Sequence, residues 1–547
     1  MRKLKALLAS ITALSCLYAG CLPMAEQIPS RHSIVASAEE EEIATSGICG
    51  ENLTWDFEES TGTLTISGTG EMENYGGYAS TWWWECDIQK IILEDGITTI
   101  GSNAFAWCKS LTSITIPNSV TAIEDRAFYG CKSLTSVTIP DNVTAIGAYA
   151  FDDTPWLENK RNENPLVIMN GILIDGTACE QEEIIIPDGV ITIGRYAFSS
   201  CESLTSVTIP DSVATIESGA FYNCSALESV TIPDSVTAIA SDTFDGTAWL
   251  ESKRNENPLV IINGILVDGT TCKGDVIVPD SVTTIAVSAF LRCQSLTSVI
   301  IPDSVTAIGT YAFSGCESLT SVTIPDSVTA IEDETFYGCN SLTSVTIPDS
   351  VTSIGECAFL QCQSLTSVTI PKSVTSLDGG AFSGCESLTS VTIPDSVTTI
   401  GMNAFNSCTA LESITIPDSV TTIGGGAFYG CESLTSITIE NPECEIYDNE
   451  FTISDTATIY GYDNSTVQAY DEKYERNFVS LGKAPKILIG DANRDGEFNI
   501  LDMILLQKWL LGAGNLPNWK AVDFNQDGVI NIFDFMLAKK YYLGNLS

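Results

Sequence analysis

From residue 90 to residue 440 of this 547-residue chain, a phenylalanine returns every 23 residues. The anchors are Phe105, Phe128, Phe151, Phe198, Phe221, Phe244, Phe290, Phe313, Phe336, Phe359, Phe382, Phe405 and Phe428. Two longer gaps, of 47 and 46 residues, each hide one divergent unit. A fixed short period leaves few folds open. No single unit can bury its own apolar face, so the units must stack into a solenoid in which each coil covers the next.

The segment from Ser318 to Asn340 is a representative unit. In an equivalent coil, Leu204, Val207 and Ile209 are spaced to point inward from a short strand, with Thr205 and Thr208 facing out. Pro210, lacking an N–H for the ladder, ends that strand. Val213 and Ile216 then close the coil, and Ala220 and Phe221 fill it. This pattern resembles the BspA-like branch of bacterial leucine-rich repeats, found on exported surface proteins. The resemblance implies a curved, strand-rich stack with a binding or adhesive role, and no shared chemistry.

Four features of the repeat invite a functional reading. Cysteine follows the Phe anchor by three residues at positions 108, 131, 201, 224, 293, 316, 339, 362, 385, 408 and 431. Equivalent positions in stacked coils point the same way, so a packed ladder of free thiols is expected rather than cross-bridges. Isolated bridges stay open for Cys49, Cys86, Cys179, Cys272, Cys357 and Cys444. Ten of twelve repeat prolines precede Asp, from Asp141 to Asp418, with Asn118 and Lys372 as exceptions. An Asx-type turn is the expected reason, and an edge that collects divalent cations is the alternative. The outward Thr and Ser are either good strand formers or a hydroxyl-rich ligand face.

The fourth feature is the pair of divergent units, residues 152–179 and 245–272, which agree at 22 of 28 positions. Each carries paired cations (Lys160 and Arg161, Lys253 and Arg254) and an Asn-Gly turn (Asn170-Gly171, Asn263-Gly264) between apolar runs, which predicts a hairpin. The cations are expected to solvate a protruding helix end, with an anionic glycan or partner as the alternative. Residues 39–89 read as a β-rich cap, carrying runs at Leu53–Phe57 and Gly62–Ser67. Its Trp82, Trp83 and Trp84 either stack on sugar rings or shield the apolar end of the stack. Residues 441–486 read as a closing cap and linker, with a strand at Thr458–Tyr462 and a helix from Val467 through Phe478.

The last sixty residues change character. Asp491, Asn493, Asp495, Asn499 and Asp502 space oxygen ligands at loop positions 1, 3, 5, 9 and 12, with Glu497 offering a backbone carbonyl at position 7 and Gly496 making the sharp turn. Asp523, Asn525, Asp527, Val529, Asn531 and Asp534 repeat the set around Gly528. Each loop leads into an apolar helix expected to end at Gly512 or Gly544. Two calcium ions are the expected cofactors. A regulatory EF-hand has Glu at position 12 and a full helix before the loop; this tail has neither, and residues 487–547 resemble a dockerin. The resemblance implies docking into a cohesin on a scaffoldin, the backbone of a cellulosome. By position, the contacts would be Ile500, Leu501, Gln507 and Lys508 on the first helix and Ile532, Phe533, Lys539 and Lys540 on the second. Many dockerins carry Ser or Thr where Ile500-Leu501 and Ile532-Phe533 stand, so a more apolar interface is expected.

The fold class read from the chain is therefore mainly β: a capped leucine-rich-repeat solenoid over residues 90–440, followed by a small all-α calcium-binding dockerin. Composition narrows the function. With 25 Lys and Arg against 70 Asp and Glu, the net charge of −45 repels nucleic acid and anionic lipid. The single histidine, His32, rules against imidazole-based nucleophilic catalysis and His-ligated zinc in the mature chain. Arg2, Lys3 and Lys5 precede an apolar run from Leu7 to Ala19, with Ala36-Ser37-Ala38 as a cleavage site, so residues 1–38 read as a signal peptide. Lipoprotein processing at Cys21 is the alternative. The run is too short for a membrane span. The expectation is an extracellular, non-catalytic cellulosome component, attached to a cell-surface or free assembly. Its solenoid would bind a glycan or surface protein, in association with polysaccharide catabolism. The alternatives are a glycoside hydrolase using paired carboxylates, or a ligand-free spacer.

Overall fold

The computed structural model describes residues 45–76, 81, 83, 86–484, 488–493, 497–511, 516, 519–525 and 530–545. The expected signal peptide, with His32 and Cys21, lies outside the described residues, as do Trp82, Trp84, Asp495, Gly496, Gly512, Asp527, Gly528 and Val529. The chain divides into two compact units, one of Met1–Val236 with Asp242–Trp249, the other of Thr237–Ser241 with Leu250–Ser547.

The first unit opens with an antiparallel meander of β1 (Ser46–Gly50), β2 (Leu53–Glu58) and β3 (Thr63–Gly68). β3 then pairs in parallel with Lys90–Leu93. In β2, Leu53, Trp55 and Phe57 alternate inward, which is the period-2 pattern of a half-buried sheet. Trp83 covers the end of the aromatic column. It is buried, its indole N–H donates to the Ala104 carbonyl at 2.9 Å, and its ring meets Trp55 and Phe105 at 5.5 and 6.0 Å. Trp83 is thus a shield, and its face is not offered to sugar.

A typical coil contributes a strand of three to five residues and one of two residues to separate parallel ladders. In the first unit, Glu183–Ile185, Ser206–Thr208 and Ser229–Thr231 form one such ladder. In the second unit six strands run from Gly274–Ile277 to Ser390–Thr392, with Ser321, Ser344, Ser367 and Ser390 in register at 23-residue steps. The expected inward residues Leu204, Val207, Ile209, Val213, Ile216, Ala220 and Phe221 are all buried. The Phe rings stack into columns with centroid spacings of 5.2–5.6 Å in the first unit and 5.0–5.6 Å in the second.

Three hydroxyl and thiol contacts tie coil to coil. Eight ladder thiols, from Cys131 to Cys431, donate to the carbonyl of the Phe anchor one coil earlier at 2.9–3.4 Å. The serine two places after the repeat proline donates to the preceding coil's Val carbonyl, as Ser350 does to Val328 at 2.7 Å. The threonine that opens the strand does the same along its own row, as Thr343 does to Thr320 at 3.2 Å. Thr205, expected to offer its hydroxyl outward, instead donates to the Glu182 carbonyl at 2.9 Å. The Pro-Asp turns are closed by the backbone: Val213 N–H reaches the Pro210 carbonyl at 3.1 Å, and Val328 reaches Pro325 at 3.1 Å. That backbone bond spans the turn in each case.

The divergent units form a helix and a hairpin each. α1 (Pro155–Glu163) and α2 (Ala248–Glu256) precede antiparallel pairs at Val167–Met169 with Ile172–Asp175 and Val260–Ile262 with Ile265–Asp268. The turn residues sit at positive φ, Asn170 at 51° and Gly171 at 79°, as a type I′ hairpin requires. The Phe column is interrupted here, and an indole fills the slot: Trp156 lies 4.6 Å from Phe151, and Trp249 lies 4.5 Å from Phe244. Glycine is obligatory where the next ring then presses in. A Cβ on Gly176 would sit 2.2 Å from Phe198, and one on Gly269 would sit 2.3 Å from Phe290.

In the closing segment, α3 (Thr466–Tyr474) is capped by Ser465 and ends at Glu475 with φ of 52°. The helix expected through Phe478 therefore stops earlier. Phe478 belongs to a strand, Asn477–Lys483, that runs parallel to Thr458–Asp463 and extends the ladder by one rung. The tail holds α4 (Ile500–Leu510), a single turn α5 (Trp519–Val522) and α6 (Ile532–Asn545). α6 runs through Gly544 rather than ending there, since one exposed glycine near a terminus costs a helix only ~1 kcal/mol.

Candidate calcium-loop and docking site

The position-12 carboxylates organise the tail. Asp502 is buried, and its Oδ1 accepts the backbone N–H groups of Ala492 and Asn493 at 2.9 and 3.1 Å. Its Oδ2 accepts the Asn499 N–H at 2.8 Å, while the Asn499 side chain caps Leu501 at 2.8 Å. One aspartate thus ties the entry of the loop to the first turn of α4. Asp534, fully buried, repeats the arrangement with Phe524 at 3.0 Å and Asn531 at 2.9 Å, and Asn531 caps Phe533 at 2.8 Å. Position 12 therefore also serves as a capping box, a role that needs the carboxylate close to its own backbone.

The donor set suits calcium. Asp491, Asn493, Glu497, Asn499 and Asp502, with Asp523, Asn525, Asn531 and Asp534, present only hard oxygens. Asp491, Asp502 and Asp534 are each buried to within 5 % of full exclusion from solvent, and a buried carboxylate needs a compensating charge. The third ligands Asp495 and Asp527, and Val529, lie outside the described residues. Among the described residues no three acidic, Cys or His side chains converge on one point.

A small core fixes both loops on their helices. Met503, Leu506, Val522 and Ala538 are buried together with Ala492, and Phe498 meets Phe524 and Tyr542 at 5.9 and 5.6 Å. The opposite sides of the helices stay uncovered. Ile500, Leu501, Ile532 and Phe533 are 54–65 % exposed, and Gln507, Lys508, Lys539 and Lys540 are exposed beside them. Sequence reading missed two members of this face. Ile504 and Met536, one turn beyond Ile500 and Ile532, are also exposed and extend each pair into a stripe. Their i+4 spacing was the available signal.

Several polar groups of the solenoid are spent on its own structure. The Arg161 guanidinium pairs with buried Asp175 and with Glu158, and Arg254 reaches Asp268 at 2.7 and 3.0 Å and Glu251 at 2.6 Å. These cations clamp helix to hairpin and do not merely solvate a helix end. Burial pushes the thiols of Cys339, Cys385 and Cys431 up to about 12, so they are poor nucleophiles at neutral pH. The eleven ladder cysteines form no disulfide, and ten are buried. A cavity beside Arg161, Asp175 and Arg195 measures about 60 Å³, against the ~300 Å³ at which ligand pockets begin.

The sequence pattern described as the BspA type leucine rich repeat region, in six copies, matches residues 79–168, 177–266, 269–389 and 379–469. The chain belongs to the BspA-type leucine-rich repeat family. Its tail matches the dockerin type I domain over residues 489–543, so this BspA-type protein carries a cellulosome-type protein-interaction module. Dockerin type I domains bind calcium. Among solved structures, the chain is similar to a leucine-rich repeat protein of Eubacterium ventriosum, at 24 % identity over 66 % of this chain and 95 % of that one, with a TM-score of 0.29. It is similar to another from Bacteroides ovatus, at 24 % identity over 76 % and 99 %, TM-score 0.29. A leucine rich cell surface protein of Faecalibacterium prausnitzii shares 26 % identity over 74 % and 95 %, TM-score 0.26. No curated protein matches the chain. Among the described residues, no helix is long and apolar enough to cross a membrane.

Proposed function

We propose that this chain is a secreted, non-catalytic cellulosome component whose tail docks into a scaffoldin cohesin in a calcium-dependent way. Its solenoid holds a glycan or protein ligand in the service of polysaccharide breakdown. The observation that carries the reading is the juxtaposition at α4 and α6. Asp502 and Asp534 each close a loop of oxygen ligands, and the exposed stripes Ile500-Leu501-Ile504 and Ile532-Phe533-Met536 start at those same closures. An uncovered apolar stripe on a charged chain is a docking surface.

Asp491, Asn493, Asp495, the Glu497 carbonyl, Asn499 and Asp502 would hold one ion, and Asp523, Asn525, Asp527, the Val529 carbonyl, Asn531 and Asp534 a second. Bound calcium would supply the positive charge that offsets these carboxylates at close quarters. The core of the tail is small, so ligand binding contributes directly to its folding. With the loops ordered, both stripes are held rigid, and Ile in place of a hydroxyl residue selects a cohesin face that is apolar. Lys508, Lys539 and Lys540 border the stripes and favour an acidic rim on the partner.

The test is a cohesin pull-down of the full chain with calcium and with chelator, read beside circular dichroism. The expected result is complete loss of docking on chelation while the β-rich signal of the solenoid persists. Undiminished docking without calcium would overturn the reading.

A further inference from the structure

The solenoid has a feature that repeat stacking does not require. Where α1 leaves the coil, Trp156 N–H donates to the Leu134 carbonyl at 2.8 Å, which sets the helix over the outer face of the strand Ser136–Thr138. Between helix and strand lies an open cleft of about 540 Å³, lined by Ser136, Trp156, Asn159, Lys160, Asn162 and Glu163 among others. That volume is within the range of small-ligand sites, ~300–1,000 Å³.

The helix that walls the cleft is held hard for an element only nine residues long. Thr154 caps it, accepting the Leu157 N–H at 3.2 Å and donating to the Phe151 carbonyl at 2.6 Å. Trp156 replaces a Phe in the core column, and Arg161 grips buried Asp175 from the other side. The face that this anchoring holds out, Asn159, Asn162 and Glu163, is exposed and makes no core. A rigid scaffold presenting polar groups is how a binding site is preorganised.

We infer that this cleft is a binding site for a neutral oligosaccharide. The inference rests on the glycan half of the function proposed above and gives it an address. The lining decides the ligand class. Lys160 and Glu163 neutralise each other at 2.8 Å, so the cleft has no net charge to offer an ionic ligand. What remains is amide and hydroxyl: Asn159 and Asn162 each supply a donor pair and an acceptor, and Ser136 supplies a hydroxyl. Vicinal sugar hydroxyls, each donor and acceptor, match that set. An apolar peptide does not, since the apolar lining is confined to Val137 and the edge of a largely buried Trp156. The sequence carries the motif twice: Trp249, Lys253, Asn255 and Glu256 recur 93 residues on, with Ser252 in place of Asn159.

The experiment titrates the full-length protein calorimetrically with cellohexaose, xylohexaose and mannohexaose, and with a galacturonate hexasaccharide as the charged control. The variant is Asn159→Ala/Asn162→Ala; both positions are exposed on a helix and alanine favours helix, so circular dichroism should match the parent. The expected result is binding of a neutral hexasaccharide that the variant loses or weakens at least tenfold. Saccharide binding that is unchanged in the variant would overturn the cleft while leaving the glycan reading intact. Absence of binding to every hexasaccharide, or capture of a protein ligand alone, would overturn both. Preference for the galacturonate would overturn the assignment of a neutral ligand.

Discussion

A regular coil and the tail both bury apolar side chains, but they obtain the cover differently. In a coil such as Ser318–Asn340, Phe336 lies between Phe313 and Phe359 at 5.4 and 5.3 Å, and its Thr343-row and thiol bonds likewise reach neighbouring copies of the same coil. The tail has no copies to lean on. Its core is a handful of residues around Met503 and Leu506, and two buried aspartates do the work of joining loop to helix. Repetition makes stability the sum of many similar interfaces, whereas the tail concentrates it in a small core and a few buried carboxylates. The lesson is that one chain can hold a part propped by its own copies and a part that relies on a few polar ties.

The comparison breaks most sharply with alkali. Burial holds the thiols of Cys339, Cys385 and Cys431 neutral in the fold, and unfolding frees them to ionise above their ordinary value near 9. Stability from Cys339, Cys385 and Cys431 is therefore fully present below pH 9 and is lost as pH rises from 9 towards about 12. Each thiol costs about 1.4 kcal/mol per pH unit in that window. The tail has no cysteine. Thermal melts of the full chain with calcium from pH 8 to 11 should show a steep fall for the solenoid transition, and a flat solenoid profile would contradict the ladder.

Next in size, Phe359→Ala should remove about 4 kcal/mol from its region of the stack. Hydrogen exchange should show lost protection in flanking coils and none in α4 or α6. Arg254→Met leaves Asp268 buried without its guanidinium and should cost about 3 kcal/mol, seen as a lowered denaturation midpoint. The double variant with Asp268→Leu should recover most of it. The smallest effect tests the stitches between coils: Ser350→Ala removes one hydroxyl bond to Val328 and should cost about 1 kcal/mol. A neutral result there would mean that the serine hydroxyl adds nothing to the ladders, thiols and rings that hold adjacent coils.

Legibility in the sequence followed repetition. The Phe column, the inward Leu and Val, the free thiols and both hairpins could be read because the same residue recurs at the same phase or because Asn-Gly has one favoured geometry. The purpose of the cysteines could not be read, since a thiol that donates to a carbonyl 26 residues earlier leaves no local mark. The pairing of Arg161 with Asp175 leaves no sequence signal, because it depends on how a helix folds over a hairpin. Phe478 was placed in a helix because the αL turn at Glu475, a non-glycine, gave no stop signal. In the tail, the ligand spacing was fully visible, yet the doubling of Asp502 and Asp534 as caps was not. Ile504 and Met536 are legible by their i+4 period from Ile500 and Ile532.

By itself the sequence determined the period, the inward residues and the two loops of oxygen ligands, because each is a local pattern whose physics is complete within one repeat. Only the tertiary structure decided which polar groups are consumed inside the fold and which are left to act. The Thr205 hydroxyl, Arg161 and the ladder thiols are spent on neighbours, while Asn159 and Asn162 are held out over an open cleft. That division depends on distances between segments far apart in the chain, and no local pattern encodes a distance.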